Sequence, residues 1–297
     1  MKPPSTNKTD TLDRLGRGSR VAVIRLRSLG DCVLTTPALQ LLKSARPDLE
    51  IAVVVEDRFA AVFENALPPS VRALRGFQPE LCLNLHGGSR SARLTALSGA
   101  KFRAGFDIFQ PAFIYNVPIP TAQQVLGVTR RVHTAEHLAS AVFHLGVPIA
   151  EIPRAHLNAT AAAREKPYAV IHPLAATSEK TWPAPSFVQL AARLQLEPVF
   201  IGGPSDDLAP FSQWQTVTGA PLNEVAGLLK GASLFIGNDS GPAHMAAAFG
   251  VPQVVIFGPS DAEIWAPWRT RAEVIQARGP IAEVTVDQVF QAVSRLI

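Results

Sequence analysis

A chain of 297 residues, 47% of them hydrophobic and with a formal net charge of +4, can bury a large core and divides more easily into two domains than one. No apolar run approaches the roughly 18 to 20 residues that a membrane-spanning helix needs, which predicts a soluble protein. The two cysteines, Cys32 and Cys82, are too few for a disulfide framework or a metal cluster. They fit a reducing cytoplasm and are predicted to be core residues.

The first half of the chain is predicted to be a β-α-β unit that follows an N-terminal tail. Residues 1–20 lack the apolar core of a signal peptide and the bulk to pack, so we predict a mobile basic tail and no export. The hydrophobic periodicity then predicts strands at 21–26, 51–55 and 81–85, a helix at 33–44 with Pro37 in its first turns, and a helix at 134–145.

A second unit of the same kind follows a Pro- and Ala-rich stretch at 146–167. The pattern predicts strands at 168–172, 198–201, 233–237 and 253–257, with helices near 186–196, 222–230 and from about 242. The restart predicts an α/β protein with two doubly wound, Rossmann-like domains, 21–155 and 156–297. Ligands of such sheets bind where strands turn into helices at their carboxyl ends, so we expect the active site in a cleft between the domains.

The first strand leads into "RLRSLGDCVLTTPALQLLK", where Asp31 lies at the start of the predicted helix. Aspartate is a preferred N-cap residue, so one interpretation is a purely structural cap. A carboxylate at the end of the first strand could also act as a general base that takes a proton from an incoming hydroxyl group. The residues alone leave both interpretations open.

Positive charge is concentrated in the first half. Residues 1–155 carry 19 Lys and Arg against 12 Asp and Glu, whereas 156–297 carry 9 against 12, so the two halves have net charges of +7 and −3. The arginines are scattered and not interleaved with aromatic residues, which disfavours a nucleic-acid groove. These arginines could form a patch that binds an anionic small molecule or lipid, or they could be ordinary solvated surface residues. They are Arg25, Arg27, Arg90, Arg93, Arg130 and Arg131.

The second half contains Lys180 in "VIHPLAATSEKTWPAPSF", in a short polar loop after the strand at 168–172. A lysine there is a mobile positive charge suited to a phosphate group, and a solvated surface lysine is the alternative. The chain contains neither a Walker-type Gly-x-x-x-x-Gly-Lys motif nor Gly-x-Gly-x-x-Gly, which disfavours P-loop NTPases and dinucleotide-dependent dehydrogenases. It also lacks an Asp-x-Asp metal clamp.

The stretch "NDSGPAHMAAAFGVPQVVIFGPSD", 238–261, places a polar turn between a buried strand and an Ala-rich helix. Ser240 and Gly241 precede the helix N-terminus, whose free N–H groups and positive dipole end suit a diphosphate. Asp239 could orient the turn or accept a hydrogen bond from a sugar hydroxyl, and His244 could donate to a phosphate oxygen. The structural alternatives are a cap for Asp239 and a core position for His244.

With these motifs the chain resembles the heptosyltransferases of glycosyltransferase family nine, which build the inner core of bacterial lipopolysaccharide. The similarity runs over about residues 21–296 and is carried by "VIRLRSLGDCVLTTPAL", "HPLAATSEKTWPAPSFVQLAARL" and "LNEVAGLLKGASLFIGNDSGPAHMAAAFGVPQVVIFGPSD". The resemblance implies the GT-B architecture, with the acceptor on the N-terminal domain and the nucleotide sugar on the C-terminal domain. It also implies site residues: Asp31 as catalytic base, Lys180 as phosphate-binding lysine, and Asp239, Ser240, Gly241 and His244 as the donor-binding loop.

The chain departs from the family pattern before Lys180, where Ala175 and Ala176 replace the usual threonines or glycine. Thr177 or Ser178 could therefore supply the hydroxyl that contacts phosphate. Asp206 or Asp207 could contact the donor ribose. On the acceptor side we expect contributions from Arg90 and Arg93.

The resemblance implies an inverting, metal-independent transfer of heptose from ADP-heptose to a phosphorylated, lipid-linked saccharide, with no cofactor and no nucleic-acid partner. Such an enzyme would be cytoplasmic and could contact the inner face of the inner membrane. The alternatives are a family relative that uses another nucleotide sugar or acceptor, and a non-catalytic nucleotide-sugar-binding protein.

Overall fold

The computed structural model describes residues 9–297 and consists of two compact units, with the boundary between Pro153 and Arg154. Composition and the restart of the pattern predict a boundary two residues later, between 155 and 156. Each unit has its own parallel sheet and its own apolar core. No helix within residues 9–297 is long and apolar enough to cross a membrane.

Within residues 9–153 a six-stranded parallel sheet is packed between helices. Its strands are Arg20–Ile24 (β1), Glu50–Val54 (β2), Ala66–Leu67 (β3), Leu81–Asn84 (β4), Phe102–Phe106 (β5) and Val117–Ile119 (β6). The helices are Leu29–Ala45 (α1), Val71–Phe77 (α2), Gly88–Leu97 (α3), Ala122–Leu126 (α4) and Thr134–Leu145 (α5). A two-turn 3₁₀ segment lies at Asp57–Val62 and a one-turn segment at Ala112–Ile114.

The second unit repeats this plan with another six-stranded parallel sheet. Its strands are Tyr168–His172 (β7), Glu197–Gly202 (β8), Gln215–Thr218 (β9), Leu234–Asn238 (β10), Gln253–Phe257 (β11) and Ala272–Gln276 (β12). The helices are Ala184–Ala191 (α6), Leu222–Gly231 (α7), Gly241–Phe249 (α8), Ala262–Trp265 (α9) and Val286–Ser294 (α10). Short 3₁₀ turns lie at Ser178–Lys180, Ala209–Phe211 and Ile281–Glu283.

Both sheets have the doubly wound order of Rossmann-type folds. The strands run β3-β2-β1-β4-β5-β6 in the first sheet and β9-β8-β7-β10-β11-β12 in the second. The chain reverses direction across the sheet between β1 and β4, and again between β7 and β10. At such a reversal the loops after two neighbouring strands diverge and leave a crevice at their carboxyl ends, which is where ligands of this fold bind. The predicted fold class is confirmed.

The central strands are continuous apolar runs because helices cover both faces of each sheet. Val21 through Ile24 in β1 and all five residues of β11 are buried. In the second unit the indole of Trp182 is fully buried and donates through Nε1 to the carbonyl oxygen of Val284, at 2.8 Å. The predicted core positions of Cys32 and Cys82 are confirmed, since both thiols are buried and free.

The prediction of a mobile tail over residues 1–20 is wrong for its described part. Residues 1–8 lie outside the described residues, but Leu12 and Leu15 are only 3% and 4% exposed. The backbone N–H groups of Thr9 and Leu12 donate to the last carbonyls of α5, His144 and Leu145. Two leucines three residues apart are enough to bury one side of a short turn against a helix end, a signal too brief for periodicity to detect.

Candidate active site

In the first unit, polar side chains gather at the reversal between β1 and β4. Arg25 and Arg27 follow β1, Asp31 lies in the first turn of α1, and His86 follows β4. These residues, with Ser28, Arg58 and Phe59, line a cavity of about 560 Å³. Three guanidinium groups face one carboxylate in its wall, so the cavity favours an anionic ligand.

Asp31 is the third residue of α1, and the N-cap is Ser28 rather than Asp31. Its Oδ2 accepts hydrogen bonds from the backbone N–H of Ser28 (3.3 Å) and from the Ser28 hydroxyl (2.9 Å). Its Oδ1 lies 3.3 Å from Nη1 of Arg25. The structural interpretation as N-cap is thus replaced by a capping-box role, which orients the carboxylate while leaving its side chain 23% exposed.

Arg25, one of the scattered arginines for which the sequence leaves an anion-binding patch and a solvated surface open, is only 6% exposed. Its Nε is buried without a hydrogen-bond partner among residues 9–297. Burial lowers the pKa of the guanidinium, and the neighbouring carboxylate of Asp31 opposes that shift. The sequence names Arg25 as a candidate for an anion-binding patch but does not predict its burial, because a charged residue is usually exposed. Its position directly after a buried strand was the available signal.

The turn after β4 is built on Asn84, which is fully buried. Its Oδ1 accepts from the N–H groups of His86 and Gly87 (3.0 and 3.2 Å), and its Nδ2 donates to Ser91 and Tyr115. His86 is thereby fixed beside the cavity. Burial, and then the positive charge of Arg25, lower the pKa of the His86 imidazole, which favours its neutral form.

The predicted acceptor arginines lie on α3 and are exposed. Arg90 forms an ion pair with Glu56 at 3.1 Å, and Glu56 also pairs with Arg58 of the cavity wall at 2.9 Å. Arg90 is thus linked to the cavity through one carboxylate, whereas Arg93 does not line it.

In the second unit the reversal between β7 and β10 brings Lys180 to the turn after β10. Lys180 Nζ lies 3.6 Å from Oδ2 of Asp239, with the two side chains 32% and 12% exposed. The preceding residue, Asn238, is buried at the end of β10 and connects the two loops. Its Oδ1 accepts from the N–H of Trp182 (3.0 Å) and its Nδ2 donates to the carbonyl of Pro173 (3.0 Å).

Ser240 is the N-cap of α8, and Gly241 is its first residue. The Ser240 hydroxyl lies 3.0 Å from Nδ1 of His172, the last residue of β7. Burial lowers the pKa of His172 to about 4, so the imidazole is neutral near pH 7. If Nδ1 carries the hydrogen, it donates to Ser240 Oγ and leaves the serine O–H available to a ligand. Sequence reasoning did not select His172.

The other predicted donor residues occupy different environments. Thr177 and Ser178 are exposed beside Lys180, and Thr177 accepts from Lys180 N–H through its carbonyl, at 3.1 Å. His244 is 4% exposed within α8.

The two candidate ribose contacts differ in position. Asp206 accepts from Gly203 N–H (2.7 Å) and lies close enough to His172 to act on its charge. Asp207 accepts from Ala209 N–H (2.9 Å) within its own turn. Of the two, Asp206 is the one near the Ser240 turn. No group of three or more His, Cys, Asp or Glu that could hold a metal ion occurs among residues 9–297.

Two packed histidines, His137 and His172, are expected to make the folded state less stable as the pH falls. Burial lowers the pKa of His137 and of His172 to about 4 each, with Arg25 adding to the first shift and Asp206 opposing the second. Their unfolded-state pKa is about 6.5. Because the folded-state value is the lower one, this stability is fully present above about pH 6.5 and is lost as the pH falls towards 4. Each histidine contributes about 1.4 kcal/mol per pH unit in that window.

Urea unfolding between pH 7 and 4.5 measures this slope. The two histidines account for part of the change in the free energy of unfolding with pH, and His172→Asn should remove about half of that part. The matched control is His156→Asn at an exposed position of the same unit, which should leave the slope unchanged. An unaltered slope in His172→Asn would show that this imidazole does not titrate differently in the two states.

Two Rossmann-type units, each with polar residues at its sheet reversal, form the architecture that GT-B glycosyltransferases have. The family model of glycosyltransferase family 9 (heptosyltransferase) matches residues 70–292. The chain belongs to this family and is therefore a glycosyltransferase.

Individual relatives agree with this assignment. The chain is 28% identical to lipopolysaccharide heptosyltransferase 3 of Escherichia coli over 291 residues, 82% of this chain and 84% of the relative. It is 24% identical to lipopolysaccharide heptosyltransferase 1 of Salmonella typhimurium over 287 residues, 82% and 89% of the two chains.

Solved structures share the fold. The glycosyl transferase family 9 protein of Veillonella parvula superposes with a TM-score of 0.80 at 22% identity, covering 98% of this chain and 99% of that one. The E. coli heptosyltransferase WaaC with ADP superposes with a TM-score of 0.78 at 19% identity, covering 94% and 100%.

Proposed function

We propose that this protein transfers a heptose from ADP-heptose to a phosphorylated, lipid-linked saccharide of the lipopolysaccharide inner core, with inversion at the anomeric carbon. The relatives named above are lipopolysaccharide heptosyltransferases. Structures of the E. coli heptosyltransferase WaaC contain ADP or ADP-2-deoxy-2-fluoro heptose. The observation that carries the proposal is the placement of Lys180 beside the N-terminus of α8, at the reversal of the second sheet.

The second unit would hold the nucleotide sugar. In the first turn of α8, Pro242 has no N–H and the N–H of Ala243 donates to the carbonyl of Ser240, at 3.1 Å. The N–H of Gly241, the first helical residue, has no acceptor within the helix; together with the positive end of the helix dipole it would attract a diphosphate, which Gly241 lets approach the backbone. Lys180 adds a full positive charge, and the Ser240 hydroxyl adds a donor. Asp239, paired with Lys180 at 3.6 Å, would hold the ammonium group in place and could accept from a sugar hydroxyl.

Asp31 would act as the general base in the first unit. The family match begins at residue 70, so this role is supported by the geometry around Asp31 and by the motif that contains it. Its Oδ2 is held by Ser28 and its Oδ1 by Arg25, a fixed geometry that general-base catalysis requires. The surplus of arginines in the cavity suits a phosphorylated acceptor.

The reaction would proceed in one displacement. Asp31 takes the proton of an acceptor hydroxyl, whose oxygen forms a bond to the anomeric carbon from the face opposite the leaving group. The bond between that carbon and the diphosphate oxygen breaks, and negative charge develops on ADP. Lys180, the α8 N-terminus and the Ser240 hydroxyl stabilise this charge, and a preorganised donor of this kind is typically worth about 3 kcal/mol. We propose that these groups suffice without a metal ion.

The test is transfer by the purified protein. ADP release is measured with ADP-heptose and a phosphorylated inner-core saccharide, with and without EDTA, and the anomeric configuration of the product is read by NMR. We expect acceptor-dependent release that EDTA does not change, and an inverted product. Greater turnover of another nucleotide sugar would assign the chain to a different donor. No turnover of any nucleotide sugar would refute the proposed transfer.

Salt should weaken acceptor use more than donor use. Residues 1–155 carry the net charge of +7, and attraction between separated charges is screened over about 8 to 10 Å at physiological salt. Lys180 and the N-terminus of α8 would contact the donor diphosphate directly, and salt screens charges in direct contact less strongly. We expect the KM for a lipid-free phosphorylated acceptor to rise with ionic strength far more than the KM for ADP-heptose.

Replacing Arg90 and Arg93 by glutamine should flatten this salt dependence and leave donor binding unchanged. The control is Arg193→Gln, an arginine of the second unit that pairs with Asp287. A salt effect confined to the donor, or none at all, would show that the basic half is solvated surface.

We also propose a cytoplasmic location, with the enzyme working at the inner face of the inner membrane, because its acceptor would be anchored there by lipid. Cell fractionation of the tagged full chain tests this location.

A further inference from the structure

The connection between β5 and β6 exposes large apolar side chains to solvent. Among residues 9–297, Phe113 is the most exposed large apolar side chain at 86%, and Ile108 follows at 67%. Gln110, Pro111 and Ala112 between them are exposed as well, and Asp107 is the single charged residue of the stretch. We refer to residues 107–113 as the apolar loop.

The apolar loop is held in place from beneath. Phe109, Ile114 and Tyr115 pack with Ala92 of α3 in a small apolar cluster. The ring of Phe109 lies so close to Gly87 that a Cβ there would come within 2.9 Å of it. The outward position of Phe113 is therefore set by its buried neighbours. Three packed side chains, those of Phe109, Ile114 and Tyr115, thus hold the loop in the conformation that exposes Ile108 and Phe113.

Basic side chains lie on α3, the helix whose Ala92 packs against the loop. Arg90 and Arg93 flank Ala92 on α3 and are exposed. Arg90 shares Glu56 with Arg58, so these three arginines and one carboxylate leave a net positive charge. Arg103 of β5 reaches the carbonyl of Ile114 at 2.8 Å and adds another cation near the base of the loop.

We propose that the apolar loop and α3 bind the surface of an anionic lipid bilayer, with Phe113 and Ile108 entering the boundary between headgroups and acyl chains. Apolar side chains beside basic ones are the combination that binds anionic membrane interfaces. A protein partner would match the apolar side chains equally well, but the net positive charge around them favours phosphate headgroups. The role of this surface, to bring the enzyme to a lipid-anchored acceptor, rests on the proposed function. Binding of the protein to vesicles does not depend on that function.

Vesicle flotation of the full-length protein tests the surface directly. We expect binding to phosphatidylcholine vesicles that contain phosphatidylglycerol, and little binding to phosphatidylcholine alone. Phe113→Ser should weaken binding about tenfold, in line with the loss of one partly inserted aromatic side chain, and Ile108→Ser should weaken it less. The matched control is Ile149→Ser, which removes another exposed isoleucine of the same unit (57% exposed) and should leave binding unchanged.

A second measurement separates this inference from the proposed function. Phe113→Ser should keep its activity on a lipid-free acceptor and lose it on the same saccharide anchored in vesicles. Equal vesicle binding by Phe113→Ser and the unaltered protein would overturn the membrane surface, whatever the transfer assay shows. A change in sedimentation coefficient on Phe113→Ser, without a change in vesicle binding, would assign the loop to contact between copies of the chain. Absence of transfer with intact vesicle binding would instead count against the proposed function.

Discussion

Replacing Asp31 by alanine is expected to abolish transfer while leaving donor affinity nearly unchanged. A positioned general base contributes about 10²- to 10⁴-fold to the rate, and the carboxylate would act on the acceptor hydroxyl and not on the diphosphate. We therefore expect kcat to fall within that range while the Kd for ADP-heptose, measured by calorimetry, stays within about twofold of the unaltered value.

The alanine variant also leaves the buried Arg25 guanidinium without the carboxylate 3.3 Å away. Asp31→Asn also removes the negative charge beside Arg25 and turns an amide nitrogen towards it, but this variant keeps the side-chain volume, and its amide oxygen can still accept from Ser28. It removes the base while preserving the capping geometry. Activity close to that of the unaltered protein in a folded Asp31→Asn variant would return Asp31 to a purely structural role in the first turn of α1.

Replacing Lys180 by alanine is expected to weaken ADP-heptose binding and to slow transfer. The ammonium group would meet the diphosphate in the bound donor and the larger charge on departing ADP, so both the ground state and the transition state lose a partner. Loss of one preorganised donor commonly costs about 10²- to 10³-fold in kcat. Titration calorimetry with ADP and steady-state kinetics measure the two effects separately.

Two control variants sharpen the Lys180 experiment. Lys230→Ala removes an exposed lysine of the same unit, one that donates to the carbonyl of Ala159 and lies 6.0 Å from the ring centroid of Phe249, and should change neither ADP affinity nor rate. Asp239→Asn removes the partner carboxylate while keeping the ammonium group, so a loss of rate there would reveal that the pair positions the lysine. Unchanged donor affinity and rate in Lys180→Ala would leave this residue an ordinary surface lysine.

Most of the central strands and one long helix can be predicted from the sequence because the residue pattern of each lies within one short stretch of the chain. Strands β1, β7, β10 and β11 each contain at least three consecutive apolar residues, and the sequence alone predicts them to within two residues. The helix Thr134–Leu145 is predicted with its observed bounds. The second sheet restarts after the linker with the same pattern, so the doubly wound class could be predicted without coordinates.

The strands that the sequence did not reveal are short, lie at sheet edges or have an interrupted apolar pattern. Strands β3 and β6 have two and three residues, which is below the length at which alternation can be recognised. In β5 an arginine and a glycine interrupt the apolar pattern, and most residues of β9 and β12 are only partly buried or exposed. Such strands form because a neighbouring strand offers its backbone hydrogen bonds, which is a tertiary effect.

The pattern of residues along the chain is enough to predict which polar residues follow the carboxyl ends of strands: Asp31, Lys180 and the Asp239-Ser240-Gly241 turn. That placement depends only on where each apolar run stops. Only the tertiary structure decided their partners, since His172 meets Ser240 across 68 residues and Trp182 meets Asn238 across 56. Arg25 pairs with Asp31 within one segment of the chain, but its burial is likewise decided by the tertiary structure. The reversal of strand order brings separate loops together, and the burial this creates cannot be read from charge along the chain.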